Sequence, residues 1–213
     1  MSRRLALLGM VIVALAGCAN AGSGRASAPS AGADAPVDRA AEQRAIAAAG
    51  LPECPRIDAA AGGADGAAGS GGRLPAITLD CLGAGPAVTL SELPAAAGRP
   101  MVLNVWASWC TPCAAEMPRF VRAADAYAGR VDVLGIDILD DRVAALEWAS
   151  EVGVNFPSLS DHDGVVRTKL PIPGPPVTFL VSGDGRLVHT EYGEIGSDAE
   201  LTGLISQHLG VSA

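Results

Sequence analysis

Two cysteines separated by two residues, Cys110-Thr111-Pro112-Cys113, are the residues of this chain best suited to chemistry. A Cys-x-x-Cys pair closes into a small disulfide ring and opens again. It sits between a continuous apolar run, residues 101–106, and a segment with helical periodicity. A thiol at a helix start meets unpaired N–H groups and the positive end of the helix dipole, which favour thiolate over thiol. Thiolate is the species that attacks disulfides, so the pattern points to dithiol–disulfide exchange. By position Cys110 is the exposed nucleophile. Cys113, one turn into the helix, is the partly buried resolving thiol. Pro112 fits the first helical turn, where its missing N–H is not needed. A zinc site needs two further ligands, and Cys54, Cys81, His162, His189 and His208 have no ligand spacing, so no metal and no cofactor are expected. The histidines read as surface or half-buried structural residues.

The elements that must hold this pair alternate along about 140 residues from Leu74 onward, enough for one domain with its own core. Residues 101–106 and 131–138 read as buried strands and 89–93 as a short edge element. Residues 110–128 form a helix with Pro118 inside, stopped at Gly129. Residues 141–152 form a second helix, with Asp140 or Asp141 to cap it and Gly153 to end it. Residues 177–182 and 187–192 flank Gly183-Asp184-Gly185 as a hairpin. Residues 197–209 form the last helix, opened by the capping-box pair Ser197 and Glu200. This order predicts an α/β domain with a mixed central sheet flanked by helices.

The stretch 104–113, Asn-Val-Trp-Ala-Ser-Trp-Cys-Thr-Pro-Cys, followed by Glu116-Met117-Pro118 and by residues 174–180, Gly-Pro-Pro-Val-Thr-Phe-Leu, resembles the thioredoxin superfamily. The similarity is greater to its TlpA/ResA/DsbE-like branch of membrane-tethered thiol–disulfide oxidoreductases. It covers Leu74 to the C-terminus and not residues 19–72. The resemblance implies a thioredoxin-like fold. It makes Pro176 the cis-proline of a loop facing the cysteines, and Glu116 a partly buried acid with a raised pKa that exchanges a proton with Cys113. Asn104 stands where thioredoxins carry a titrating Asp, which leaves that work to Glu116. Trp109 forms the apolar rim of the site, with Thr111, Pro112, Pro175 and Pro176 completing the substrate-binding surface, while Trp106 packs inside. In the family the residue before the cis-proline pairs with an extended target through its backbone. Here it is Pro175, which has no N–H. Residues 170–173, Leu-Pro-Ile-Pro, read as part of this stiff loop.

The N-terminal residues speak of export. Arg3 and Arg4 precede a 12-residue apolar run too short to span a bilayer, and Leu15-Ala16-Gly17-Cys18 matches a bacterial lipobox. Residues 1–17 are therefore expected to be a lipoprotein signal peptide, with Cys18 the lipid attachment site. Residues 18–73 are rich in Ala, Gly and Ser and read as a flexible tether and N-terminal extension. Within it residues 42–49 have transient helical character and 59–72 form a second flexible patch. Residues 74–213 are the thioredoxin-like domain. Export places Cys54 and Cys81 in an oxidising compartment, where the remaining pair forms a structural disulfide that staples the Cys54 segment to the domain. Closing that loop stabilises by about 3–4 kcal/mol in the chain-entropy account.

The formal charge is −8. Without Arg3 and Arg4, 13 basic residues face 23 acidic ones, net −10. With no basic patch, nucleic acid is excluded as a partner. The expected localisation is the extracytoplasmic face of the cell membrane, held by the lipid. The expected partners are exported cysteine-containing proteins, with apocytochrome c among those the resemblance suggests, and a membrane dithiol donor of the CcdA/DsbD type. Reduction of targets is the favoured direction, because Thr111-Pro112 supplies no histidine to make the couple strongly oxidising. The alternative is a disulfide-forming oxidase. A Sco-like metallochaperone is disfavoured because it uses Cys-x-x-x-Cys. A peroxidase is disfavoured because the Pro-x-x-x-Thr-x-x-Cys pattern of peroxiredoxins is absent.

Overall fold

Six apolar or neutral residues in a row, Met101–Trp106, form β3, buried along its whole length. A strand covered on both faces needs no alternation. A computed structural model describes residues 39–56, 72–93 and 98–212. In chain order its elements are α1 (Arg39–Ala49), β1 (Thr78–Cys81), β2 (Val88–Thr89), β3, α2 (Thr111–Ala126), β4 (Asp132–Ile138), α3 (Arg142–Val152), β5 (Ser158–Asp161), β6 (Val177–Val181), β7 (Leu187–Tyr192) and α4 (Asp198–Leu209). Short 3-10 turns occupy Leu90–Glu92 and Val165–Thr168.

The strands form one mixed sheet in the order β2-β1-β5-β4-β3-β6-β7. β3, β4 and β5 run parallel. The successive β3-α2-β4-α3-β5 crossovers step in one direction along the sheet, and right-handed crossovers in one direction put their helices on one face. The hydrophobic cluster of that face accordingly joins Trp106, Met117 and Phe120 to Leu146, Leu201 and Ile205. The other face is covered by turns and short segments, through Leu74, Leu90, Val166, Leu170 and Ile172. Residues 170–173 are therefore more than a stiff loop. Leu170 and Ile172 are core residues, their side chains buried in the cluster on this face.

The ends of the elements follow local chemistry. The Asp141 carboxylate accepts from Val143 and Ala144 N–H at 3.0 Å and caps α3, and Gly153 ends it with φ +74°. Ser197 Oγ accepts from Glu200 N–H at 3.1 Å to cap α4. The Glu200 carboxylate takes the N–H of Gly196 rather than that of Ser197, so the box is displaced by one residue. Strands β1 and β5 were not evident in the sequence. β5 reads Ser-Leu-Ser-Asp, four residues of which only Leu159 is apolar, and its place is set by pairing to β4 and β1.

Part of the expected tether is folded. α1 packs on α3, with Ala45, Ile46 and Ala49 against the core and Glu42 paired to Arg142 at 2.7 Å. Small side chains permit close approach of the two helices. The Cys54–Cys81 disulfide, a few residues further on, holds α1 near its seat and lowers the entropy lost on docking. The signal segment, Cys18, the rest of residues 18–38 and residues 57–71 lie outside the described residues.

Candidate active site

β3 delivers the chain to the cysteines and α2 receives it. Cys110 is the N-cap of α2, and its Sγ accepts the N–H of Cys113 at 3.2 Å. Pro112 lies in the first turn, so its missing donor leaves no gap. Cys110 and Cys113 are joined as a disulfide, Cα atoms 5.3 Å apart. Cys110 is not exposed in this oxidised state. It is 4% accessible, because its sulfur is turned back over the first helical turn toward buried Cys113. Trp109 is 56% accessible, and Thr111 and Pro112 are exposed with it. Trp106 is fully buried and stacks on Trp148, ring centroids 4.8 Å apart.

The cis peptide Pro175–Pro176 lies at the same end of the sheet. Val105 pairs with Val177 across β3 and β6, which sets Pro176 level with Trp106, just before the cysteine loop. The Pro176 carbonyl accepts from Gly193 N–H at 3.0 Å.

Glu116 lies one turn beyond Cys113 on α2. It is fully buried rather than partly so, because α2 turns it under the sheet toward β3 and the start of α4. One oxygen accepts from Asn104 Nδ2 at 2.9 Å, and the other from Ile195 N–H at 2.9 Å. Burial pushes its pKa up to about 7, against the pull of the Ile195 and Asn104 hydrogen bonds. Asn104 also reaches Thr178 Oγ1 at 3.4 Å, its partner across the β3–β6 register. A polar line therefore runs from β6 through β3 to α2 and the Ile195 backbone. Thr178 was not singled out in the sequence, although a threonine inside an apolar strand is a legible signal.

A second buried acid was missed. Asp137 on β4 is the register partner of Trp106. Both its carboxylate oxygens are buried without a hydrogen-bond partner among the described residues. Burial first, then the neighbouring Asp140, push its pKa up to about 9, so it is a neutral acid at pH 7. The signal was an Asp between two isoleucines. Asp140 itself holds the cysteine loop. Its carboxylate accepts from Ser108 N–H at 2.5 Å and Ser108 Oγ at 2.9 Å.

His162 is exposed, with Nδ1 2.6 Å from the Asp140 carbonyl. His189 and His208 stack on each other with centroids 4.1 Å apart. Among the described residues no group of three or more His, Cys, Asp or Glu side chains is arranged to hold a metal ion.

A mixed sheet, a disulfide at a helix N-cap and a cis-proline at the same sheet end define a thioredoxin-like dithiol–disulfide protein. The sequence profile of the AhpC/TSA family matches residues 71–190, more than half of the chain, and the chain belongs to that family. The thiol:disulfide interchange protein DsbE of Yersinia pestis is 35% identical over 123 residues, 57% of this chain and 63% of that protein. DsbE of Escherichia coli K12 is 37% identical over 99 residues, 46% of this chain and 52% of that protein. The chain thus spans between half and two thirds of the length of these curated relatives. A secreted Mycobacterium tuberculosis disulfide oxidoreductase homologous to E. coli DsbE shares the fold, with TM-score 0.53 and 28% identity over 62% of this chain and 96% of that one. M. tuberculosis DsbF does so with TM-score 0.55 and 27% identity over 62% of this chain and 94% of that one.

Proposed function

We propose that the chain is an exported thiol–disulfide oxidoreductase that reduces disulfides of other exported proteins through Cys110 and Cys113. The observation that carries the exchange chemistry is the Cys113 N–H aimed at Cys110 Sγ at a helix N-terminus, a donor and a dipole that both stabilise a thiolate there; the reducing direction rests on Thr111-Pro112, which place no histidine beside that thiolate. The interchange names of the relatives support it.

In the reduced protein the Cys110 thiolate attacks one sulfur of a target disulfide. A mixed disulfide forms and the first target sulfur leaves as thiolate. Glu116, with a pKa near 7, takes the Cys113 proton. The Cys113 thiolate then attacks Cys110 Sγ, the second target sulfur leaves, and the Cys110–Cys113 disulfide remains. Two electrons have passed to the target. A membrane dithiol donor of the CcdA/DsbD type returns them by the reverse exchange. Trp109, Thr111, Pro112, Pro175 and Pro176 receive the target segment, and haem-binding cysteines of an apocytochrome c are a substrate of the right chemistry.

The lipid anchor at Cys18 and an extracytoplasmic site at the membrane rest on the lipobox, residues 15–18. The secreted M. tuberculosis relative supports export in kind. No helix among the described residues is long and apolar enough to cross a membrane.

The test is the reduction potential of the Cys110/Cys113 couple against a glutathione or dithiothreitol series. A value near that of thioredoxin, roughly −270 mV, supports the reductase. A value near roughly −120 mV makes the protein an oxidase of exported proteins instead.

A further inference from the structure

Leu139 has φ +53°, the one residue other than glycine with positive φ among the described residues. Such backbone disfavours a side chain, and a leucine there asks for a reason. Core packing does not supply one, because Leu139 is 40% exposed. It follows β4 directly, and its carbonyl accepts the Trp109 indole N–H at 3.1 Å. The Leu139 side chain lies over Gly164. A Cβ on Gly164 would come within 2.7 Å of Leu139 Cδ2, so the leucine side chain rests directly on the glycine. The next residue, Val165, is 43% exposed.

These three exposed apolar side chains sit on three loops that are tied together. The Asp161 carbonyl accepts from both Leu139 N–H and Gly164 N–H at 3.0 Å. The Asp161 carboxylate accepts from Val165 N–H at 2.8 Å and Val166 N–H at 2.9 Å. Asp140 pins Ser108 on the opposite side. Leu139 and Val165 are thus held in advance by bonds to Asp161, and the Leu139 carbonyl ties this stretch to Trp109, the residue next to Cys110. Surfaces held in place before binding lose less entropy when they bind.

We propose that Leu139 and Val165, with Trp109, form a shelf that selects target segments carrying a large apolar side chain beside the reactive cysteine. The proposal deepens the disulfide-exchange reading and rests on it for the identity of the occupant. The occupant is an extended segment of the target protein whose cysteine sulfur engages Cys110. Its neighbouring apolar side chain then lies across Leu139 and Val165.

The experiment uses two peptide disulfides identical except for Leu or Gln next to the cysteine, and compares exchange rates with the reduced protein. The wild type should favour the Leu peptide by about fivefold, the scale of partly burying one leucine. Leu139→Gly keeps the backbone and the carbonyl to Trp109 but removes the shelf, and the preference should fall below about twofold. Leu139→Met should retain it. A second measurement follows the Trp109 indole N–H resonance of the oxidised protein while Cys→Ser versions of the same peptides are added, which needs no exchange. Equal rates for the two peptides in the wild type, or an undiminished preference in Leu139→Gly, overturn the shelf. A protein that shifts its Trp109 resonance with the Leu peptide alone but exchanges with neither disulfide keeps the shelf and overturns the redox reading. A protein that exchanges with both equally and shifts with neither does the reverse.

Discussion

The two disulfides of this chain are both buried, yet their sulfurs look out on opposite kinds of group. Around Cys54 and Cys81 the neighbours are carbonyl oxygens. Cys81 Sγ lies 3.0 Å from the Ala84 carbonyl, and both sulfurs approach the Ser158 carbonyl, at 3.4 and 3.8 Å. A disulfide sulfur has no proton to donate, and a thiolate placed there would face these oxygens with like polarity. Cys110 Sγ faces an N–H and the positive end of α2. Exposure therefore does not separate the reactive pair from the structural one. The sign of the surrounding dipoles does, since it sets how readily a thiolate forms and leaves.

The comparison breaks most sharply at the reactive pair. Cys110→Ser should abolish disulfide exchange, while Cys113→Ser should accumulate mixed disulfides with targets, seen as covalent adducts by mass spectrometry. Alkylation of the reduced protein at neutral pH should mark Cys110 first. Preferential labelling of Cys113 would reverse their roles.

The structural pair should be silent in exchange and loud in stability. Replacing Cys54 and Cys81 together by Ser should lower unfolding free energy by about 2–4 kcal/mol and loosen α1, read by amide exchange along Arg39–Ala49. Exchange at Cys110/Cys113 should survive. Under graded reduction of the native protein, peptide mapping should find Cys110–Cys113 open first. Opening of Cys54–Cys81 at the same reductant concentration would show that the dipoles do not discriminate.

The buried acids extend the contrast to pH. Both Glu116 and Asp137 have pKa values raised on folding, to about 7 and about 9. Each therefore contributes stability that is fully present below its unfolded pKa, near 4, and is lost as pH rises through the folded value. Asp137 is held neutral by burial and by the neighbouring Asp140, so Asp137→Asn should gain stability at pH 8 relative to its effect at pH 4, by up to about 1.4 kcal/mol for each pH unit between them. Parallel stability curves for the two proteins between pH 4 and 9 would show that Asp137 titrates normally. For Glu116 the readout is exchange. The resolving step of the wild type should rise through pH 7, and Glu116→Gln should move that rise to higher pH.

The smallest effect concerns the loop opposite the cysteines. Pro175 offers an extended target a carbonyl but no N–H. Pro175→Val restores a donor worth about 0.5–1.5 kcal/mol, and insulin reduction should quicken up to about tenfold at matched Cys110/Cys113 potential. Equal rates, with Pro176 still cis, would leave Pro175 as a stiffener of the loop.

Much of this was legible in the chain because it is local. The run 101–106, the Cys-x-x-Cys at a helix start, the Asp141 cap and the hairpin around residues 183–185 are written in neighbouring residues, whose spacing and backbone preferences act over one or two turns. The family resemblance, and the expectations of export and of lipidation at Cys18, likewise rest on contiguous motifs. What only the tertiary structure decided depends on residues far apart in sequence. It seats the Ala-rich 39–49 as a helix on α3, since a marginal helix is settled by what it packs against. It makes a strand of the polar 158–161 by pairing on both sides. It buries Cys110 beneath its own helical turn. It encloses Glu116 with Asn104 and Ile195 while leaving Asp137 unpaired. Burial and dipole direction are properties of the assembled fold, and they are what raise the two acids and give the two disulfides their different surroundings.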